Sequence, residues 1–247
     1  MSQEQQPAAH LEVAALRART LVGVVQQELE RRILDGRIAP GERLNEQVLA
    51  DELAVSRGPI REACRGLAEV GLVQLIPNRG AFVKALNRED AIDVYDLRAG
   101  LLGLSASLLA ARLDAQTSVA LDRSIDEMDR AARREDGAAF SRANNEFHDC
   151  MVSAIGNARL TKLYRGLVKE FQLFRSHAPA LKDTLLKSNE EHRAIVAALK
   201  AGDATRSWRL TSGHVENGKQ RMLASLEGDG APAAAPRGRR RAEQDPR

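Results

Sequence analysis

Between Leu21 and Ile33 apolar side chains return every fourth position, as Leu21, Val25, Leu29 and Ile33, which lays them along one face of a helix. Gly36 stops that helix, and Pro40-Gly41 keeps the next few residues out of helical geometry. Asn45 is a good N-cap for a short second helix carrying Val48, Leu49 and Leu53. Ala54-Val55 makes a tight connection and Ser56 caps a third helix. Pro59 falls in the first turn of that helix, where a missing N–H costs nothing. After Gly71 the period changes. Leu72 to Ile76 reads as a strand, Pro77-Asn78-Arg79-Gly80 as a turn, and Ala81 to Val83 as the returning strand. Three helices and a hairpin outline a winged helix-turn-helix.

Asn87 opens a new helix, with Asp90 three residues on to support its exposed N–H groups. From there to about Glu227 no strand signal occurs. Breaks near Asp114–Thr117, Asp136-Gly137, Gly156-Asn157, Ala178-Pro179 and Gly202-Asp203 divide the segment into about six helices. Connections this short make consecutive helices antiparallel, so the expected fold is mainly α: a winged helix-turn-helix followed by an antiparallel bundle. The expected divisions are a flexible arm over 1–17, the winged head over 18–84, the helical domain over 85–227, and a Pro/Gly/Ala-rich, basic, disordered tail over 228–247.

Composition narrows the class. The 247 residues suit two modest domains, and 43% hydrophobic content fills two cores. Aromatics at only 3%, against abundant Ala, Leu, Arg and Glu, favour helix over sheet. No apolar run approaches the ~18 to 20 residues a membrane span needs, and the N-terminus has no signal-peptide core, so the cytoplasm is the expected location. Cys64 and Cys150, far apart and without CxxC spacing, read as small buried residues, not a disulfide or zinc knuckle. A net charge of +3 is compatible with nucleic acid without demanding it, so the placement of the arginines matters more than their number.

In the third helix Arg57, Arg61 and Arg65 form one stripe and Ile60, Cys64 and Leu67 another, roughly 100° away around the axis. One stripe can bury while the other faces outward, which suits a recognition helix in the major groove. There arginine bonds guanine O6 and N7 or holds a phosphate. The Ser56 hydroxyl and the free N–H groups of the first turn suit a backbone phosphate. Arg79 at the hairpin tip, beside a Gly80 that permits close approach, suits a wing on the minor groove or phosphates. The bland alternative is a solvated helix face paired with Glu62 and Glu69.

The stretch PGERLNEQVLADELAVSRGPIREACRGLAEVGLVQLIPNRGAFV resembles the DNA-binding domain of GntR-family regulators, over about Leu21 to Val83. The resemblance implies DNA contacts from Arg57 and Arg61, with Gly80 in the wing, and adds Arg43, Ser56, Gly58 and Arg65 as further candidates. Where many members carry Thr, this chain has Gly58, so one side-chain contact is absent.

In the helical half, His148 shares a face with Phe140, Asn144, Phe147 and Met151. His192 aligns with Leu185, Val196 and Leu199, and His214 with Leu210, Asn217 and Arg221. Taken singly, a histidine on such a face is more often a hydrogen-bonded core residue than a ligand. Antiparallel helices bring such faces inward, so three can converge, and three neutral imidazoles plus an oxygen donor suit Zn²⁺ or Ni²⁺. Arg98 falls in an apolar stripe with Val94, Leu97, Leu101 and Leu108, where a charge needs a partner: an internal salt bridge or the carboxylate of an acidic effector.

This half resembles the FCD ligand-binding domain over about Asp90 to Leu226, through DVYDLRAGL, NNEFHDCMVSAIGNARL, EEHRAIVAALKAGD and the histidine of the last helix. The helix count is similar to the VanR-type subgroup. The resemblance implies that Asn144, His148, His192 and His214 are metal ligands. Asp is common at the first position, and the Asn144 amide binds a cation less strongly than a carboxylate. Leu102 stands where members often carry Glu, which removes one internal partner for Arg98. The resulting expectation is a homodimeric repressor on a palindromic double-stranded DNA operator, controlled by a small carboxylic acid and a divalent metal. A metal-only regulator is the alternative. No HExxH, GxSxG or phosphate-binding glycine loop supports an enzyme.

Overall fold

The computed structural model describes residues 6–174 and 182–228. The break expected at Ala178-Pro179, the basic tail after Gly228 and the first five residues lie outside the described residues.

The first helix, α1 (Gln6–Leu34), begins well before the point where its hydrophobic period does. Most of the segment read as a loose arm is therefore helical. Its Ala, Leu, Arg and Glu content favours helix, and Pro7 stands in the first turn, where no N–H partner is lost. Val25, Leu29 and Ile33 are buried, whereas Leu21 is half-exposed. Asn45 caps α2 (Glu46–Glu52) by accepting from the Gln47 and Val48 N–H groups. Leu49 and Ala50 supply the buried face of α2, and Val48 is exposed. Ser56 occupies the N-cap of α3 (Arg57–Glu69) with extended backbone, but its hydroxyl makes no capping bond.

The hairpin strands are β2 (Val73–Ile76) and β3 (Gly80–Val83), paired antiparallel with Leu75 opposite Ala81. A two-residue strand, β1 (Arg43–Leu44), pairs with the other edge of β3 and gives the order β1-β3-β2. Two residues carry no periodicity, so this strand had no sequence signal. Leu29, Ile60, Leu67 and Leu72 are fully buried at the centre of the head, each worth about 1.5–3 kcal/mol of burial.

The bundle has six helices among the described residues: α4 (Arg88–Ala110), α5 (Ala115–Arg133), α6 (Gly137–Ser153), α7 (Ala158–Phe174), α8 (Lys182–Lys200) and α9 (Ala204–Gly228). Asn87 and Asp90 form a complete capping box at the start of α4. Asp114, Asp136, Asn157 and Asp203 each accept a backbone N–H three residues on, which fixes where α5, α6, α7 and α9 begin. Helix α4 lies closely along α9. A Cβ at Gly103 would fall 2.3 Å from the Ser212 hydroxyl and 3.1 Å from the Trp208 ring, so only glycine allows that approach.

The main core packs Leu109, Leu121, Met128, Phe147, Met151 and Ile195. A smaller one joins Tyr95, Leu102, Val152, Leu160, Tyr164 and Val215. Head and bundle meet along α7. Leu173 packs against the head core, Lys169 pairs with Glu30 at 2.7 Å, and Lys84, just after the wing, pairs with Glu170. No described helix is long and apolar enough to cross a membrane. Both cysteines are free, and burial raises both thiols, Cys64 to about 11.

Candidate functional site

On α3 the two stripes separate as their spacing predicts. Ile60, Cys64 and Leu67 are buried, while the Arg57, Arg61 and Arg65 side chains are 57%, 52% and 58% exposed. The arginines are not idle. Glu46, first residue of α2, accepts from Arg61 Nη2 at 2.8 Å and lies 3.6 Å from Arg57 Nη2. The Arg61 hydrogen bond is the main reason the Glu46 carboxyl is held below its usual range. Arg65 pairs instead with Glu62, at 2.6 Å. Exposed pairs of this kind are worth roughly 0–1 kcal/mol, so they aim the guanidinium groups yet release them cheaply to a competing anion or base. Glu46 is 15 residues from Arg61, and no spacing rule could have joined them.

The wing completes this face. Asn78 and Gly80 take positive φ in the turn, at 60° and 101°. A Cβ at Gly80 would lie 3.5 Å from Arg43 Nε, so the Arg43 side chain rests against the wing backbone. Arg79 lies over the Phe82 ring, 5.7 Å from its centre. A cleft of about 310 Å³ separates α3 from the wing, lined by Glu46, Arg61, Arg65, Asn78 and Gly80. At the start of α3, Gly58 faces open space and the Ser56 hydroxyl is uncommitted by any cap.

Inside the bundle the three histidines converge. His148 on α6, His192 on α8 and His214 on α9 each offer a ring nitrogen, all within 4.8 Å of one another, and all three are buried. Ring centroids are 4.2 Å apart for His192 and His214, and 5.3 Å for the other two pairs. Burial, then the neighbouring cationic groups, lowers the pKa of His148 and His192 well below the ordinary histidine value, so both rings are neutral. Among the described residues His148 Nδ1 and both His192 nitrogens have no hydrogen-bond partner. His214 differs: its Nδ1 meets Glu191 at 2.7 Å, which leaves Nε2 as its acceptor.

Asn217 and Arg221 hold Glu191 from the same face of α9. Burial works against the Glu191 charge, but bonds from His214 and Arg221 set its pKa at about 2. Sequence reasoning gave Glu191 no role. Its signal was the α9 stripe of His214, Asn217 and Arg221, which needs one acceptor on a facing helix. Neutral buried imidazoles with orphaned nitrogens fit a borderline divalent ion, the donor set that Zn²⁺ and Ni²⁺ take. Asn144, half-buried one turn before His148, is on the same helix face.

Arg98 is 6% exposed, and its neighbours correct the expected stripe: Val94, Tyr95 and Leu102 are buried with it, whereas Leu97 is 57% exposed. No carboxylate meets it among the described residues. Its guanidinium sits over the Phe171 and Tyr95 rings, 5.1 and 5.5 Å from their centres, and its Nε is buried without a partner. The buried Tyr164 hydroxyl lies within reach of Arg98; burial raises that phenol's pKa, and the Arg98 charge and side chain oppose the rise. The Arg98 charge also contributes, after burial, to the lowered pKa of His148 and of His214.

Comparison with known proteins decides what these two sites belong to. Residues 21–83 match the gntR family of bacterial regulatory proteins, and residues 93–217, half the chain, match the FCD domain. The chain belongs to the GntR family.

It is a transcription regulator with a DNA-binding head and an FCD domain, in a family of regulators and not enzymes. The probable D-xylose utilization operon transcriptional repressor of Paenarthrobacter nicotinovorans is 30% identical, over 79% of this chain and 86% of that protein. The gluconate operon transcriptional repressor of Bacillus subtilis is 29% identical, over 72% and 75%. Among solved structures, a GntR transcriptional regulator from Rhodococcus sp. RHA1 is 26% identical with a TM-score of 0.65, covering 85% of this chain and 98% of that one. E. coli McbR/YncC shares the fold at 20% identity, with a TM-score of 0.67 over 83% and 98% of the two chains.

Proposed function

We propose that this GntR-family protein is a cytoplasmic one-component repressor, acting as two copies on a palindromic operator. A small carboxylic acid held beside a divalent metal in the bundle sets its operator affinity. The observation that supports this most is the collection of orphaned buried polar atoms. Among the described residues Arg98 Nε, His148 Nδ1 and both His192 nitrogens are buried with no hydrogen-bond partner. Each such group costs roughly 1–3 kcal/mol, a cost that a bound ligand removes. When bound, zinc or nickel would supply a concentrated positive charge with a position open to a carboxylate.

The chain's own residues do the rest. His148, His192 and His214 would hold the ion, with Asn144 as the oxygen donor. Glu191 keeps the His214 proton on Nδ1, and Arg98 offers a second cation for an acid. The Phe171 and Tyr95 rings keep the guanidinium away from solvent. At the head, Arg57 and Arg61 read base edges from the major groove. Arg43, Arg65 and Arg79 meet phosphates or the minor groove, and Ser56, Gly58 and Gly80 let the backbone close in. One relative's operon is named for gluconate, a carboxylate.

The test is thermal melting of chelator-stripped protein with zinc or nickel, alone and with small carboxylic acids, beside His192→Ala. At a hundredfold excess over Kd the metal contributes about 2.7 kcal/mol, roughly 5–10 °C for a chain of this size. Selected acids enlarge that rise, and His192→Ala abolishes it. A flat response to both metals means the histidines are core residues and the reading is wrong.

A further inference from the structure

We propose that Asn189 reads a hydroxyl group on the bound acid, so that the effector of this chain is a hydroxycarboxylic acid. The inference deepens the acid-and-metal reading above and rests on it.

Asn189 is fully buried on α8. Its amide nitrogen donates to the Ile125 carbonyl at 3.0 Å and to Asp129 Oδ1 at 2.7 Å, both on α5. Arg193, one turn further along α8, pairs with the same Asp129 carboxylate from the more exposed side. Two acceptors around the nitrogen fix which end of the amide is which. A flipped amide would set its oxygen against a carbonyl and a carboxylate. The side chain is therefore locked, and its Oδ1 is left buried with no hydrogen-bond partner among the described residues. A buried acceptor without a partner carries the full cost of its lost hydration, which a hydrogen-bond donor removes. An ionised carboxylate offers no donor, so the acid group alone leaves Oδ1 unmet.

The fold puts this oxygen one layer from the histidines. Lys200 pairs with Asp122 and Asn189 bonds Asp129, so α8 runs antiparallel to α5. A short turn folds α6 back along α5, which makes α6 parallel to α8. The rings of His148 on α6 and His192 on α8 share a level, with centroids 5.3 Å apart. Asn144 stands four residues before His148, and Asn189 three before His192. Two amides thus occupy the same layer, one helical turn to the N-terminal side of the imidazoles.

The two amides are not equivalent. Asn144 is half-buried, and no hydrogen bond holds it among the described residues, so it is free to turn its oxygen toward an ion. Asn189 is pinned to α5 and offers its oxygen at a fixed place. An ion held by the imidazoles would take the carboxylate at their level, and the neighbouring carbons of the acid would reach the amide layer. A hydroxyl there donates its proton to Asn189 Oδ1, whereas a methylene has nothing to give. A site built around such an acceptor selects against the analogue that lacks the donor.

The test is calorimetric titration of the zinc-loaded full chain with matched acids: lactate and propionate, malate and succinate, gluconate and hexanoate. In at least one pair the hydroxylated member is expected to bind roughly ten- to a hundredfold more tightly. Asn189→Leu, of similar shape but without the acceptor, brings that pair within about twofold by weakening the hydroxylated member, and keeps the zinc-dependent rise in melting temperature. Should that variant not fold, Asp129→Asn decides, since it frees the Asn189 amide to flip and shrinks the preference severalfold. Equal binding within every pair overturns the inference. So does a preference that survives in the folded variant, which would place hydroxyl recognition at the ion. Loss of the zinc response in Asn189→Leu also overturns it, by assigning the oxygen to the ion or its histidines. All three outcomes leave the acid-and-metal reading standing. If no acid binds while zinc still raises the melting temperature, the acid reading itself fails and takes this inference with it.

Discussion

The head and the bundle put their chemistry on opposite sides of their surfaces. Among the described residues every buried polar or charged side chain lies between Arg98 and His214, inside the bundle, and the head buries only apolar ones. The head's arginines stand outside a finished core, held by carboxylates that solvent also reaches. In the bundle the candidate site groups are part of the core, and several lack partners among the described residues. On the proposed reading, function and stability are therefore separable in the head and rest on the same groups in the bundle.

That contrast is broken most directly at α3. Arg57→Ala and Arg61→Ala should each cost about 1–3 kcal/mol of operator affinity in a binding titration. Melting should move by no more than about 0.5 kcal/mol, since neither side chain supports the core. Unchanged operator binding in both variants would remove the recognition-helix assignment. A large loss of stability would show that the head is not built as described.

The same contrast explains what was legible in the sequence. The head reads well because its period, caps and turn are local: Asn45, Gly71 and the Pro77–Gly80 turn each act within four residues. Strand β1 and the Glu46 bridge do not, since they arise only when distant segments meet. In the bundle the histidines were legible as faces of helices, and their convergence follows from antiparallel packing. Their partners were not. Glu191 is next to His192 in sequence but works on α9, and the exposure of Leu97 against the burial of Tyr95 depends on which neighbours α4 meets. The Ala-rich start of α1 misled for another reason: helix propensity there acts without any hydrophobic period to announce it.

A second, smaller test concerns whether every buried charge in the bundle stabilises it. Among the described residues Arg98 has no carboxylate of its own, so Arg98→Met replaces an uncompensated cation with an apolar chain of similar reach. The ligand-free protein should hold or gain about 1 kcal/mol. Any acid-dependent rise in melting temperature should vanish, while the metal-dependent rise stays. Marked destabilisation instead would mean that Arg98 is held by the fold and not kept for a ligand.

The smallest effect on stability belongs to the seam between the two regions. Lys84 leaves the wing and pairs with Glu170, and Phe171, the next residue of α7, stacks on Arg98. Lys169 pairs with Glu30 of α1 one residue earlier. A shift of α7, were a ligand to cause one, would thus be felt by both ends of the head. Partly exposed pairs contribute only about 0–1 kcal/mol, so Glu170→Gln should barely alter melting, operator affinity without ligand, or ligand affinity without operator. What it should shrink is the factor by which metal plus acid changes operator affinity. Coupling is reciprocal, so operator DNA should lose the same share of its influence on ligand binding. An unchanged factor in both directions would move the link from α7 to the direct connection from β3 into α4. The head's outward chemistry would then answer the bundle's inward chemistry through the backbone alone.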